Sequence, residues 1–375
     1  MKPKVTFLVP CYNLAHLLGE CVNSILSQTY QDFEVLILDD CSPDDTPAVA
    51  CSFKDPRVKH IRNETNVGHL CNYNKGISLA RGEYIWLVSA DDRLRTPQAL
   101  DRYVRTMERY PGVGFICCPA VELRSSIETG LASYSVLSDR DTIFEGHKFL
   151  KKLLLANVVI ASSGMVRRTC YEKYGVFPLD LPYAGDWYLW CLFALHRQVG
   201  YIADPMLNYR GHDLSMTNLL KNKDVRILVH DSLAVLWRTK NTAESIGAHA
   251  VVNKCREAIA TEYARFVSGS HYIPYQMDME EFEKSLKQFA RTHDEADSIR
   301  ANFYEYLGDI HFRLRDFEQA KISYSRGLQE NPLMLKAWAK WLLLQMGNFG
   351  VHLRELRLHH RNSSESSLMA RVQGR

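Results

Sequence analysis

Two pairs of adjacent aspartates each follow an apolar run of the chain: Asp39-Asp40 come after residues 33–38 and Asp91-Asp92 come after residues 84–88. Adjacent carboxylates repel each other, so we expect a positive group beside them. Mg²⁺ or Mn²⁺ bridging to a diphosphate would meet this need, because these cations prefer oxygen ligands. Solvated turns or helix-capping loops are the alternatives. Because the pairs recur at the ends of apolar runs, we favour a metal–nucleotide site.

A lone carboxylate, Asp186, lies among bulky aromatic residues in the segment Gly185-Asp186-Trp187-Tyr188-Leu189-Trp190. Partial desolvation by such neighbours would raise its pKa toward the values useful in a general base. The aromatic rings beside it could stack on the faces of sugars. A helix N-cap aspartate followed by core aromatics is the alternative, and these residues alone leave both open.

Other side chains are suited to binding a nucleotide. Tyr12, in Pro10-Cys11-Tyr12-Asn13, can stack on a base, although a simple turn explains the segment equally well. Asp40 can accept hydrogen bonds from a base N–H or a ribose hydroxyl. Arg210 could hold a phosphate in a bidentate fork. His212 could complete the coordination of a metal, although a lone histidine is more often structural.

The elements that must position these groups alternate up to about residue 120. Apolar runs predict strands at 5–9, 33–38, 58–62, 84–88 and 113–117. Amphipathic runs predict helices at 14–27, 46–52, 69–80 and 97–109. This alternation predicts a mainly parallel α/β sheet with helices on both faces, of the Rossmann-like kind. Ligands of such sheets bind at the carboxyl ends of strands, which here follow residues 9, 38 and 88.

The rest of the chain is organised differently. Residues 121–215 lose the alternation and are rich in loops, where substrate contacts are often made. The chain then becomes helical, so we predict a catalytic domain at 1–215, a helical region at 216–300, a repeat with a capping helix at 301–350 and a basic disordered tail at 351–375.

Composition excludes several classes of protein. A net charge of +3 over 375 residues argues against general nucleic-acid binding. The ten cysteines form no C-x-x-C pair and are expected to be reduced. The sequence has neither an apolar leader nor a run long enough to cross a membrane, so we expect a cytoplasmic protein.

Taken in order, nine segments of residues 4–216 resemble glycosyltransferase family 2, inverting enzymes of the GT-A fold. The segments are Val9-Pro10-Cys11-Tyr12-Asn13, Ser24-Ile25-Leu26-Ser27-Gln28-Thr29-Tyr30 with Asp32-Phe33-Glu34, Asp39-Asp40-Cys41-Ser42, Asn66-Val67-Gly68, Asn74-Lys75-Gly76, Ala80-Arg81-Gly82-Glu83-Tyr84-Ile85, Ala90-Asp91-Asp92, Gly185-Asp186-Trp187-Tyr188-Leu189-Trp190 and Tyr209-Arg210-Gly211-His212.

The resemblance implies roles for individual residues. Asp186 would be the general base that deprotonates the acceptor hydroxyl, with Trp190 near the acceptor. The metal, Mn²⁺ or Mg²⁺, would be held by Asp92, Asp91 and His212. The nucleotide of the donor would be bound by Pro10, Tyr12, Asn13, Asp40, Asn74 and Asp91.

Three departures from the family pattern qualify this. Ser89 occupies the first acidic place of the usual D-x-D-D, which leaves open whether Asp91 or Asp92 is the direct metal ligand. Tyr73 stands where many members carry a basic residue. The Q-x-x-R-W signature of processive synthases does not occur, which favours the transfer of a single sugar.

The C-terminal part resembles one tetratricopeptide repeat at residues 301–334, through Tyr304, Leu307-Gly308, His311, Ala320, Tyr324 and Pro332. A single repeat must pack on neighbours or on a partner. Beyond it, an apolar group followed by arginines could contact an anionic membrane surface, although core packing before a solvated basic tail is the favoured alternative. That group comprises Trp338, Trp341, residues 342–344, Arg354, Arg357 and Arg361.

The sequence therefore predicts a GT-A α/β domain followed by an α-helical domain. The predicted function is metal-dependent inverting transfer of one sugar, a hexosyl or N-acetylhexosaminyl group, from a nucleotide sugar, with UDP favoured. The acceptor would be a hydroxyl of a glycan or a lipid-linked glycan in cell-surface polysaccharide biosynthesis. A nucleotidyltransferase lacks its Gly-rich phosphate loop here and is one alternative. A catalytically inactive nucleotide-binding scaffold is the other.

Overall fold

The computed structural model describes residues 2–124, 126–212, 215–347 and 350–355. Its strands are β1 (Val5–Cys11), β2 (Phe33–Asp39), β3 (Val58–Arg62), β4 (Tyr84–Leu87), β5 (Arg93–Leu94), β6 (Val113–Cys117), β7 (Ala120–Arg124), β8 (Ile127–Leu131), β9 (Thr142–Phe144), β10 (Met165–Arg167), β11 (Gln198–Tyr201) and β12 (Leu207–Arg210). Its helices are α1 (Ala15–Leu26), α2 (Thr46–Ser52), α3 (His69–Leu79), α4 (Ala99–Arg109), α5 (Gly146–Leu153), α6 (Arg168–Tyr174), α7 (Gly185–His196), α8 (Met216–Lys223), α9 (Val225–Ser245), α10 (His249–Val267), α11 (Met279–Phe289), α12 (His293–Arg313), α13 (Phe317–Glu330) and α14 (Leu335–Gln345).

The predicted strands and helices up to residue 120 are all present, with ends that differ by one or two residues. Every residue of β1 and β2 is buried, and accordingly most residues of both strands are apolar. Helix α4 begins at Ala99 with Gln98 as its N-cap residue, two residues after the predicted start at residue 97.

The main sheet has the strand order β3-β2-β1-β4-β10-β6-β11-β9. Strands β1 to β4 pair in parallel, whereas β10 runs antiparallel to both β4 and β6. Helices cover both faces: Phe7 shares a core cluster with residues of α1 and α4, and its neighbour Leu8 contacts Gly76 of α3 on the other face. The mainly parallel GT-A sheet predicted from the sequence is therefore confirmed.

A second, smaller sheet has the order β5-β12-β7-β8. Strand β5 begins directly after Asp92 and pairs with β12, which ends at Arg210. The sheet was not predicted, because its strands are short and lie in the loop-rich region. Through the β5–β12 pair it brings the chain at residues 210–212 back to the loop after β4.

The chain divides into two compact units, residues 1–242 and 243–375. The first extends beyond the predicted limit at residue 215 and includes most of α9. In the second unit, Gly308 of α12 lies against the ring of Tyr324 in α13, and the rings of Phe282 and Phe303 stack at 4.1 Å. A helix pair thus occupies residues 293–330, while its assignment as a tetratricopeptide repeat stays a prediction.

Helix α14 has one buried side and one exposed side. Ala337 and Leu344 are buried and Trp341 packs on the core around Phe312. The exposed side, which we call the α14 apolar face, carries Leu335 (81% exposed), Trp338 (40%), Leu342 (52%) and Met346 (52%). The segment was expected to pack in the core, and only one side of the helix does so.

Arg354, expected in a basic tail, is instead buried. It donates to Asp309 Oδ1 at 2.5 Å and to Tyr324 Oη at 2.6 Å, and its guanidinium lies 3.8 Å from the centre of the Phe312 ring. Arg357, Arg361 and most of the predicted tail lie outside the described residues. No helix in the described part of the chain is long and apolar enough to cross a membrane.

Candidate active site

The loops that follow β1, β2 and β4 are joined by main-chain hydrogen bonds. The amide of Asp40 donates to the carbonyl of Cys11 at 3.0 Å, and the amide of Ala90 donates to the carbonyl of Pro10 at 3.2 Å. Since β1 lies between β2 and β4, its loop is the one that both neighbouring loops reach. The carboxyl ends of the three strands form one edge, along which most of the candidate residues lie.

The loop after β1 leaves Tyr12 49% exposed, whereas Pro10 is buried. Asn13 has φ 57° and Cys41, in the loop after β2, has φ 59°. This left-handed conformation is costly for residues other than glycine and is often kept at functional sites. The amide of Asn13 donates to Ser42 Oγ at 3.2 Å and ties the two turns together. An exposed ring beside fixed turns can stack on a base, and nucleotide contact by Pro10, Tyr12 and Asn13 stays a prediction.

Asp40 is buried, and its carboxylate is already engaged. It accepts hydrogen bonds from Nδ2 of Asn63 at 2.8 Å, from the amide of Val67 at 2.9 Å and from the amide of Gly68 at 3.0 Å. These bonds fix the turn that leads into α3. A contact of Asp40 with base or ribose stays a prediction, and it would have to use the lone pairs that these donors leave.

Asn74 binds the chain at Phe177. Its Nδ2 donates to the carbonyl of Phe177 at 2.8 Å, and its Oδ1 accepts from the amide of Phe177 at 3.0 Å. The amide group of Asn74 thus anchors the segment that leads to Asp186. Nucleotide binding by Asn74 stays a prediction. The two hydrogen bonds to Phe177 argue against it, because they engage both polar atoms of the side chain.

Tyr73, which replaces the basic residue common in the family, lies between the two acidic parts of the site. Burial raises its pKa well above the usual range, and the carboxylates of Asp91, Asp186 and Asp92 raise it further. Its ring packs edge-on against Phe177 at 5.2 Å. Within the described residues its hydroxyl makes no hydrogen bond. Tyr73 is therefore a neutral phenol among carboxylates, with a proton to donate.

Asp91 and His212 come together as the resemblance implies. Nε2 of His212 lies 2.7 Å from Oδ2 of Asp91, and both side chains are partly exposed. His212 is itself held in place, because its carbonyl accepts from Asn218 Nδ2 at 3.1 Å and from the amide of Ser215 at 3.1 Å. The second sheet brings this histidine to the loop after β4.

Asp92 has a different environment from Asp91. It is 3% exposed, and burial, with the charge of Asp91 as the next cause, raises its pKa well above the usual range. Its Oδ1 accepts from the amide of Arg210 at 2.9 Å. The Arg210 guanidinium, considered above as a phosphate ligand, donates to the carbonyl of Asp91 at 2.9 Å and to Glu20 at 2.7 Å. Asp92 and Arg210 therefore support the loop that carries Asp91.

The donor set at this point is one carboxylate and one imidazole. Among the described residues, no group of three or more His, Cys, Asp or Glu side chains is arranged to hold a metal ion. A cation bound by Asp91 and His212 would take its other ligands from the diphosphate and from water, which suits octahedral Mn²⁺ or Mg²⁺. The residues present fit such an ion, and metal binding by Asp91, Asp92 and His212 stays a prediction.

Asp186 lies in the first turn of α7, and burial raises its pKa to about 6. Hydrogen bonds limit this rise: Asn157 Nδ2 donates to Oδ2 at 3.1 Å, and the amide of Trp187 donates to Oδ1 at 2.7 Å. A partly buried carboxylate of this pKa is ionised at neutral pH and still takes up a proton readily. The raised pKa agrees with the desolvation expected from its aromatic neighbours, while its role as the base stays a prediction.

Trp190 lies behind Asp186 in the core. It is 3% exposed, its ring is 4.8 Å from that of Phe115, and a Cβ at Gly164 would overlap it. Its indole N–H faces the Asp186 carboxylate and helps to lower its pKa, although the geometry falls short of a hydrogen bond. No ring face is open for a sugar, so this burial argues against the predicted contact of Trp190 with the acceptor.

A cavity of about 1070 Å³ opens beside His212. Its lining includes Glu122, Tyr134 and Tyr209. Tyr134 is 50% exposed, and its pKa is raised to about 12 by burial and by the carboxylates of Glu122, Asp186 and Asp92. Sequence reasoning missed Tyr134 and Glu122, because only their position in the loop-rich region distinguishes them.

Comparison with known proteins agrees with this geometry. The family model of glycosyltransferase family 2 matches residues 6–175. The putative glycosyltransferase EpsH of Bacillus subtilis is 30% identical over 253 residues, which are 64% of this chain and 71% of EpsH. This chain belongs to glycosyltransferase family 2. Asp40, Asp91 and Asp92 lie within the matched residues, whereas Asp186 and His212 follow them.

Other relatives share less of their length. The succinoglycan biosynthesis protein ExoO of Rhizobium meliloti is 39% identical over 112 residues, which cover 30% of this chain and 31% of ExoO. Crystal structures of residues 1–349 of TarS from S. aureus, in complex with UDP and with UDP-GlcNAc, superpose with TM-scores of 0.58 and 0.57 at 16% identity. They cover 87% of this chain and 88% and 89% of TarS, which establishes the shared fold.

Proposed function

We propose that the protein transfers a single sugar from a UDP-sugar to a hydroxyl of a glycan or lipid-linked glycan, with inversion at the anomeric carbon. The observation that carries this is the position of Tyr73, whose pKa is raised first by burial and then by the carboxylates of Asp91, Asp186 and Asp92. The proposed metal ligand Asp91 and the proposed base Asp186 are thus both near this one phenol. This arrangement suits a donor whose diphosphate lies at Asp91 and whose sugar points toward Asp186.

The chemistry needs one base and one cation. The Asp186 carboxylate accepts the proton of the acceptor hydroxyl as its oxygen attacks the anomeric carbon and the bond to the diphosphate breaks. A single displacement of this kind inverts the configuration. Mn²⁺ or Mg²⁺, held by Asp91 and His212, would neutralise the charge that develops on the leaving UDP. Asp92 and Arg210 keep Asp91 in place.

The choice of donor and acceptor is supported by the relatives. The TarS structures contain UDP and UDP-GlcNAc, so a UDP-hexose or UDP-N-acetylhexosamine is the first donor class to test. ExoO is described by its part in succinoglycan biosynthesis, which supports a cell-surface polysaccharide as the product. The half-exposed ring of Tyr134, rather than the buried Trp190, is the aromatic surface that an acceptor sugar could stack on.

The α14 apolar face supports a peripheral position at the inner face of the membrane. Its leucines and Trp338 lie on one side of the helix, and the chain after residue 355 adds Arg357 and Arg361. Apolar side chains next to basic ones bind anionic lipid surfaces. An enzyme held there would meet a lipid-linked acceptor.

A thermal-shift panel tests the proposal: UDP, GDP, dTDP and CMP, each with Mn²⁺, with Mg²⁺ and with EDTA. A ligand that binds only the folded protein raises the melting temperature by mass action. We expect a shift with UDP that needs the metal, followed by release of UDP from UDP-sugars. Release of pyrophosphate from a nucleoside triphosphate would support a nucleotidyltransferase instead. A shift without release of UDP from any UDP-sugar would support the inactive nucleotide-binding scaffold, and no shift with any nucleotide would end the proposal.

A further inference from the structure

Helix α7, which carries the proposed base, begins without a capping side chain of its own. Its N-cap residue is Ala184, which makes no side-chain capping hydrogen bond, and the Asp186 side chain itself binds one amide of the first turn, that of Trp187. Alanine is among the poorest N-cap residues, since it has no oxygen to accept from those amides. The position of Asp186 in this first turn therefore depends on groups from elsewhere in the chain.

A carboxylate of α9 holds the two residues that directly precede α7. Oδ2 of Asp231 accepts hydrogen bonds from the amide of Tyr183 at 2.7 Å and from the amide of Ala184 at 3.2 Å. Asp231 is 1% exposed and lies 48 residues after Tyr183 in the sequence. A buried carboxylate that accepts two main-chain N–H groups makes strong, charge-assisted hydrogen bonds.

Two further contacts hold the segment before α7. Arg238, two turns further along α9, pairs with Asp180. In addition, Nε2 of His69, in α3, donates a hydrogen bond to the carbonyl of Pro182 at 2.9 Å. Of these three side chains, Asp231 is the one that binds Tyr183 and Ala184, the two residues directly before α7.

We infer that Asp231 is a positioning residue: it holds Tyr183 and Ala184, the two residues directly before α7, and thereby sets where the Asp186 carboxylate meets the acceptor hydroxyl. This inference rests on the proposed role of Asp186. It assigns a part of the catalytic machinery to α9, which lies beyond both the predicted domain limit at residue 215 and the residues matched by the family.

The test compares Asp231→Ala, Asp231→Asn and Asp224→Asn in the full chain. Asn keeps an oxygen that can accept from both amides, whereas Ala removes it. Asp224 precedes the same helix, is partly exposed and pairs with Arg226, so its variant controls for a lost carboxylate. UDP release is measured with UDP-GlcNAc, UDP-glucose and UDP-galactose, with water as the acceptor, over a range of donor concentrations.

We expect Asp231→Ala to lower kcat roughly 10- to 100-fold, the scale of effect of a small misplacement of a catalytic group. KM for the donor should stay within about twofold, because the nucleotide site lies on other elements. Asp231→Asn should regain most of the loss, and Asp224→Asn should match the wild type. Wild-type kcat in Asp231→Ala would overturn the inference, as would a KM that rises in step with the fall in kcat.

Hydrogen exchange gives a measure that does not depend on turnover. The amides of Tyr183 and Ala184 should exchange faster in Asp231→Ala than in the wild type, and the amides of β1 and β2 should be unchanged. Unchanged exchange at residues 183–187 would overturn the inference even if activity falls. If the wild type releases UDP from none of the donors, the proposed function fails, while the exchange experiment still decides whether Asp231 holds α7.

Discussion

Nε2 of His212 lies 2.7 Å from Oδ2 of Asp91, although 121 residues of chain separate them. This contact is the reason that we propose Asp91 rather than Asp92 as the metal ligand, since Asp92 is buried and accepts from the amide of Arg210. Sequence alone left that choice open, because the two carboxylates are neighbours in the same loop.

Asp91→Asn should abolish the metal-dependent part of nucleotide binding and lower kcat on the order of 100-fold or more, since a catalytic metal supplies several kcal/mol. Asp92→Asn should keep metal-dependent binding, because the new amide can still accept from Arg210. Titration of each variant with Mn²⁺ in the presence of UDP checks this. Loss of the metal effect in Asp92→Asn alone would transfer the role to Asp92.

The activity should depend on the ionisation of Asp186. With a pKa of about 6, its carboxylate is largely protonated at pH 5 and largely ionised at pH 7. We expect kcat to rise with pH and to be half-maximal near 6. Asp186→Asn should lower kcat roughly 100- to 10,000-fold at pH 7.5, with UDP binding retained. A pH-independent residual rate identifies Asp186 as the titrating group; an unchanged acid limb in this variant would assign it elsewhere.

The same buried carboxylate should cost stability at neutral pH. Its pKa is higher in the folded protein (about 6) than the ordinary value of 3.8. The folded state therefore binds more protons between pH 4 and 6, and the free energy of unfolding falls as pH rises through that window. Asp186→Asn should stabilise the protein at pH 7.5 by at most about 3 kcal/mol. Urea unfolding at pH 3.5, below both pKa values, where the two proteins should differ little, is the internal control.

Tyr73 should contribute through its hydroxyl alone. Tyr73→Phe keeps the packing against Phe177 and removes a proton donor between Asp91 and Asp186. We expect kcat to fall roughly 3- to 10-fold, the effect of one hydrogen bond of about 1 kcal/mol, without a change in melting temperature. Tyr103→Phe is the matched control, because its buried hydroxyl donates to the carbonyl of Ser163 at 3.0 Å. Its loss should reduce stability and leave kcat unchanged.

The α14 apolar face should bind vesicles that contain anionic lipid. We expect the full chain to float with vesicles of phosphatidylcholine and phosphatidylglycerol, less so at high salt, and poorly with phosphatidylcholine alone. Trp338→Ser with Leu342→Ser should reduce binding about tenfold or more, since each buried side chain contributes roughly 1.5–3 kcal/mol. Leu314→Ser, at an exposed leucine outside α14, is the control. If the wild type is a dimer and the double variant is a monomer, this face binds a second copy of the chain instead.

Sequence reasoning predicted the parallel core of the sheet closely, because strands buried on both faces are written as continuous apolar runs. It also expected Asp91 and His212 at one site, and their side chains lie 2.7 Å apart, while their roles and that of Asp186 stay predictions. It left open whether Trp190 contacts a sugar or lies in the core, since an aromatic residue one turn after a candidate base has the same local pattern whether it faces a sugar or Phe115. Only the close approach of Gly164 distinguishes the two.

The supporting residues were harder to predict. Asp40 and Asn74 match the family pattern, but their polar atoms are engaged by Val67, Gly68 and Phe177 through contacts that no local pattern encodes. Asp231 lies on an ordinary amphipathic helix, with no neighbouring motif to distinguish it. Contacts between side chains and distant main-chain amides depend on tertiary structure, which periodicity and spacing do not reveal.

The cap on α7 also bears on how the protein can be divided or recombined. A chimaera that joins the first 215 residues of this chain to the C-terminal part of a relative would keep the proposed base Asp186. It would lose Asp231 of α9, which holds the residues before α7. Such an exchange would conserve every residue of the candidate site and still misplace one of them. A junction after residue 242, where the first compact unit ends, keeps Asp186 and Asp231 together.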